Sequence, residues 1–245
     1  MEEQGSYERR EALSMQERYE VDGTGTLVRT RTGVMAGVYG WMSVGLAVTA
    51  VAALAVASSE AAFRLLVGTR FLFFALLIGE LGLVWYLGAR IMTMSTGAAK
   101  AGFLAYAALN GVTLSVIFAA FTTDSIGSVF FITAGMFAAT SAFGYVTKRD
   151  LTGFGSFLYM GVIGVLIASV VNIFMNSPMV NWVVSVIGVF VFAGLSAYDT
   201  QKIKAIMLSV DESRAGNAAV LGALSLYLDF VNMFLFLLRL LGRNR

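Results

Sequence analysis

An all-α polytopic membrane bundle of seven transmembrane helices is predicted by three observations. Of the 245 residues, 58% are apolar and only 13% are charged, about half the charged fraction of a soluble globular domain. Several separate apolar runs each reach the roughly 20 residues that a helix needs to cross a hydrocarbon core about 30 Å thick. Each run is apolar on every face and lacks the alternation of an outer-membrane strand. Only helices, which satisfy their backbone hydrogen bonds internally, account for such runs.

Residues 1 to 32 are polar and mixed in charge. They lack the short apolar core of a cleaved signal and are expected to form a cytoplasmic tail that is disordered or lies on the surface. Residues 33 to 245 then form one transmembrane domain, with spans near 34 to 57, 71 to 94, 99 to 121, 127 to 147, 155 to 175, 180 to 208 and 218 to 241. The seventh contains Asp229 and Arg239, so it reads either as a full span or as a re-entrant, cavity-lining helix enclosed by the others. Short loops make neighbouring helices antiparallel. Gly33 and Gly37 form a GxxxG, and Gly161 and Gly164 lie in the fifth span, a pattern that favours close helix packing. The single proline, Pro178, follows Asn176 and Ser177 in the turn before the sixth span.

Orientation follows from the basic residues. Starting from an internal amino terminus, 12 of the 17 Lys and Arg residues fall on the inside and five outside, which predicts a cytoplasmic amino terminus. Three of the outer five, Arg239, Arg243 and Arg245, lie at the carboxyl end. A re-entrant last segment would place both termini inside. The absence of cysteine and histidine excludes disulfides, thiol nucleophiles, thiolate or imidazole metal sites and serine-histidine catalysis. The small net charge of +2 sits mostly between spans, and no nucleic-acid signature is present. No phosphate-cradling GxxxxGKS/T motif implies ATP. No cofactor is expected.

Ionisable side chains at membrane depth cost roughly 2.5 to 3.5 kcal/mol each on insertion scales and so require a partner or a cavity. Five stand out: Glu80, Arg90, Asp199, Asp229 and Arg239. Asp199 lies nine residues before the end of its helix at Leu208, and Asp229 eleven residues into the returning one. At 1.5 Å per residue these depths are roughly 14 and 16 Å, so the two aspartates are expected at one level. Glu80 and Arg90 are ten residues apart, as are Asp229 and Arg239, on helices of opposite direction. Two buried ion-pair levels are therefore expected, Arg90 with the aspartates and Glu80 with Arg239. The arginines could instead snorkel to the interface, which a short Asp side chain cannot do. Two carboxylates within hydrogen-bond reach share a proton, so their charge can switch near physiological pH in a chain without histidine.

Ionised carboxylates at a constriction also suit calcium, which takes several oxygen ligands. Two aspartates are too few for tight binding. Asn110, Asn172, Asn232, Tyr198, Tyr227 and backbone carbonyls are candidates for further oxygens at a weak permeation site, and interhelical hydrogen bonding is their alternative role.

These residues sit in recognisable strings. Ala223-Leu224-Ser225-Leu226-Tyr227-Leu228-Asp229-Phe230-Val231-Asn232, Tyr198-Asp199-Thr200-Gln201, Ala89-Arg90-Ile91 and Ala107-Ala108-Leu109-Asn110-Gly111 together resemble the Bax inhibitor-1, or transmembrane Bax inhibitor motif, family. Over residues 34 to 242 the chain looks like a bacterial member, which implies the inner membrane. The resemblance implies a seven-helix fold with a central last helix and a pH-dependent calcium leak. It also implies that Asp199 and Asp229 form a di-aspartyl pH sensor, that Arg90 latches one aspartate in the closed state, and that Glu80 and Arg239 are a second charged pair.

A passive, pH-gated calcium leak is thus the leading expectation, with lipid, calcium and protons as partners and no enzymatic activity. A regulatory scaffold that restrains a membrane-anchored ATP-dependent protease is the alternative, as is thought for some bacterial relatives. The polar tail would serve it. An intramembrane aspartyl protease is less favoured: the seventh span reads Tyr227-Leu228-Asp229 in place of GxGD, and no second proline is available for a PAL motif.

Overall fold

The computed structural model describes residues 19–21, 27–29 and 31–244, with side chains from Met35 onward. The expected tail over residues 1 to 32 lies largely outside the described residues. Within it, strands β1 (Tyr19–Val21) and β2 (Leu27–Arg29) pair antiparallel, Tyr19 opposite Arg29.

The helices are α1 (Arg31–Ser58), α2 (Glu60–Gly68), α3 (Arg70–Arg90), α4 (Thr96–Leu114), α5 (Ile117–Ala120), α6 (Thr123–Val146), α7 (Thr152–Met175), α8 (Pro178–Ser209) and α9 (Glu212–Leu241). Among the described residues, seven spans are long and apolar enough to cross a membrane: α1, α3, α4 with α5, α6, α7, α8 and α9. Local sequence sets their ends. Ser95, Thr122 and Ser177 cap α4, α6 and α8 by accepting the amide protons of Ala98, Ser125 and Val180. Pro178 occupies the first turn of α8, where its missing N–H costs nothing. Asn176, at φ 47°, supplies the left-handed residue that ends α7.

The last helix is the axis of the bundle. In α9, 72% of the apolar stretch is buried, against 50% in α8 and 11% in α3 and α7. It packs on α8, α1, α6 and α4. Glycine permits some of the close approaches around it: a Cβ on Gly144 of α6 would collide with the Ala197 carbonyl of α8.

Three features differ from the sequence-based expectation. The connection between the first two spans is not a plain loop but holds α2, whose Ser59 cap accepts the Ala62 amide and whose first turn carries Glu60. The third span is interrupted at Ser115 and Val116, between α4 and α5. The last helix begins at Glu212 and not near 218. Its first turns are polar, which truncates a hydropathy reading, yet Asn217 is buried there. The Asn217 amide donates to the carbonyls of Ile91 (2.6 Å) and Met94 (2.9 Å), in and just after the 3-10 turn Ile91–Thr93, and Thr96 donates to its oxygen at 2.6 Å.

Candidate functional site

Asp199 and Asp229 are both buried, at 7% and 4% exposure, on the two helices that form the centre of the bundle. Ile203 stands against Gly222, and Gly188 against Phe236. That antiparallel register places Leu226 opposite Asp199 and leaves Asp229 three residues, about 4.5 Å, deeper. The expectation of one common level is corrected accordingly. The longer amino-terminal part of α9 shifts the register that was counted from position 218.

The two carboxylates lie close enough to interact through their charges, but no hydrogen bond joins them. Asp199 accepts a hydrogen bond from the Tyr159 hydroxyl of α7 at 3.4 Å. Among the described residues Asp229 Oδ2 is a buried side-chain atom without a hydrogen-bond partner. Asp199 also lines a cavity of about 220 Å³ between α3, α8 and α9, together with Gly88, Lys202, Gly222 and Ser225. Lys202 and Lys204 stand at the cavity's end of the bundle, so the cavity approaches Asp199 from the lysine-bearing side.

The two expected buried ion-pair levels are absent. Among the described residues the one ion pair is Arg64 with Glu60, on the exposed face of α2. Arg90 is exposed at the end of α3, two residues beyond Gly88 of the aspartate cavity. Glu80, 7% exposed, is held by neutral donors instead of an arginine. Thr113 donates to its Oε1 at 2.6 Å and the Asn110 amide to its Oε2 at 3.1 Å. Arg239 lies over the Phe236 ring, 5.4 Å from its centroid.

Glu80 belongs to a second polar network, separate from the aspartates. The Tyr227 hydroxyl donates to Asn110 Oδ1 at 2.9 Å and meets the Thr49 hydroxyl at 2.6 Å. Asn110 and Tyr227 are thus committed to α1, α3 and α4, and do not add oxygens at the aspartates. The cause is helical geometry: residues two apart, such as Tyr227 and Asp229, point about 200° apart around the axis. Asn232, one turn after Asp229, turns its amide to the Leu228 carbonyl at 2.8 Å. Of the wider set, Tyr198 packs edge-on against Tyr159 and Asn172 Oδ1 accepts the Ser177 amide. Among the described residues no group of three or more acidic, His or Cys side chains is placed to hold a metal ion.

Tyr159 and Thr113 were missed by sequence reasoning. Thr113 was legible, being three residues after Asn110 and so on the same helical face. Tyr159 was not legible, since nothing local in the sequence relates α7 to Asp199.

Residues 31–245 match the protein family described as Inhibitor of apoptosis-promoting Bax1. The chain belongs to the Bax inhibitor-1 family. It is 48% identical to the inner membrane protein YbhL of Escherichia coli K12, over 90% of this chain and 97% of that one. An uncharacterized protein of Borreliella burgdorferi is 43% identical over 86% and 92% of the two chains. An uncharacterized membrane protein of Streptococcus pyogenes is 40% identical over 76% and 80%. The matched residues span the whole helical domain.

Proposed function

We propose that this protein is a passive, pH-sensitive calcium leak of a bacterial inner membrane, with Asp199 and Asp229 as both ion pathway and pH sensor. One observation carries the reading: two acidic side chains lie at membrane depth with no ion pair among the described residues, one lining a cavity that it shares with Lys202 and the other a turn deeper with a free oxygen. Burial at that depth is costly, so two such carboxylates on adjoining helices point to charge movement there. Past Asp229 the axis is filled by Met233, Phe236 and Leu237, all buried. This arrangement fits a closed state in which the ion path ends at the aspartates. Ionised, the pair attracts and weakly coordinates a cation. Protonation removes that attraction and biases the helix packing between two states. Arg90, near the cavity, is assigned the latch that holds Asp199 in one of them, and Glu80 with Arg239 remain candidates for a second pair formed on opening. Family membership favours such a non-enzymatic role over intramembrane proteolysis.

The test is calcium flux into dye-loaded proteoliposomes from pH 6 to 8. Wild type is expected to show pH-dependent flux, Asp199→Asn and Asp229→Asn to lose the dependence, and Arg90→Ala to leak more. If wild type matches empty liposomes, the leak reading fails, and the scaffold for a membrane-anchored protease becomes the reading to pursue.

A further inference from the structure

We infer that the end of the bundle away from the lysines carries a binding site for the phosphate of an anionic phospholipid, built around Arg239. A cavity of about 510 Å³ opens there between α7, α8 and the end of α9. Its lining includes Ser169, Asn172, Asn176, Ser177, Asn181 and Arg239, and no carboxylate. Arg239 has no ion-pair partner among the described residues, and the side chains of Ser169, Asn176 and Asn181 make no hydrogen bond there. Asn172 uses its oxygen to accept the Ser177 amide at 3.1 Å, and Ser177 Oγ accepts from Val180 at 3.4 Å. Both residues therefore keep their own protons for a ligand. The site is a set of unspent donors around one guanidinium, which suits an anion with several acceptor oxygens.

The surroundings select a lipid over a soluble anion. Phe174 and Trp182, next in sequence to the lining residues Ile173 and Asn181, are 85% and 61% exposed, so a bilayer covers them, and tryptophan favours the headgroup level. Acyl chains would run along α7 and α8 while the headgroup enters the cavity. Basic pockets between spans bind headgroups in this way on the cytoplasmic side of membranes, and the same pairing of guanidinium with phosphate is available at this end. A merely snorkelling arginine explains the charge but not the donors that two other helices bring to the same cavity.

The experiment is native mass spectrometry of the full chain in detergent with dioleoyl phosphatidylglycerol, dioleoyl phosphatidylcholine or soluble glycerol phosphate. Phosphatidylglycerol is expected to be retained about fivefold more than phosphatidylcholine, the size of one basic side chain's contribution near an anionic surface. Arg239→Gln should bring the two lipids to parity, and Asn181→Ala should reduce the preference while leaving the fold intact. Equal retention by wild type, or an unchanged preference in both variants, overturns the inference. Displacement of the lipid by glycerol phosphate overturns the lipid assignment in favour of a soluble anion. The outcome is independent of whether the protein conducts calcium.

Discussion

Thr113 has one hydroxyl proton and two acceptors, Glu80 Oε1 at 2.6 Å and its own helix's Asn110 carbonyl at 3.0 Å. The carboxylate is nearer, and it is the acceptor with no arginine to turn to. Asn110 is similarly divided, giving its amide to Glu80 and its oxygen to Tyr227. Removing one donor leaves a buried acceptor unpaired, which costs about 1 to 3 kcal/mol. Thr113→Val should therefore lower thermal stability in detergent by that order, and Thr113→Ser should restore it. A Val variant as stable as wild type would show that Glu80 draws its support from elsewhere. At the same scale Tyr159 and Asp199 differ, because the 3.4 Å bond is long and Tyr159 is 44% exposed on the lipid side. That contact orients more than it stabilises.

Among the elements, α9 owes its position to both ends. Asn217 ties its first turns to the carbonyls of Ile91 and Met94, while past its last turn the Thr122 amide donates to the Arg243 carbonyl at 3.1 Å and the Arg243 amide to Ser125 Oγ at 2.9 Å. Asn217→Ala should free the amino-terminal turns, raising amide hydrogen exchange over residues 212 to 218 about fivefold, the equivalent of one typical net hydrogen bond. Unchanged exchange would mean that packing alone holds them. These polar turns also mark where the sequence was legible. All seven spans are readable from apolar length, because lipid demands it. The start of α9, the short α2 and the break after Leu114 are not, because the first rests on contacts with distant carbonyls, the second on a local cap, and at the third the Ser115 hydroxyl donates to the Val112 carbonyl of its own helix. The same division runs through the site. Depth counting identified Asp199, Asp229 and Glu80 as buried, while their partners depend on helix rotation, which end-to-end counting ignores.

At the scale of the whole molecule, the bundle is polar at its two ends and apolar around most of its axis, with the aspartate cavity on the lysine-bearing side and the Arg239 cavity on the other. From the count of basic residues, 12 against five, we propose that the lysine side faces the cytoplasm. The chain contains no cysteine, so a single introduced thiol reports on access without background. Ser225→Cys lies in the cavity beside Asp199, whereas Met233→Cys lies one turn past Asp229, where the native residue is fully buried. A membrane-impermeant thiol reagent should label the first in inside-out vesicles and not in right-side-out ones, and the second in neither. Labelling of Ser225→Cys from the opposite face would reverse the orientation. Absence of labelling from both faces would mean that water does not reach Asp199, and that the path to the aspartates is sealed on both sides. Labelling of Met233→Cys would show that the apolar axis beyond Asp229 opens at rest, leaving the aspartates unable to act as the gate.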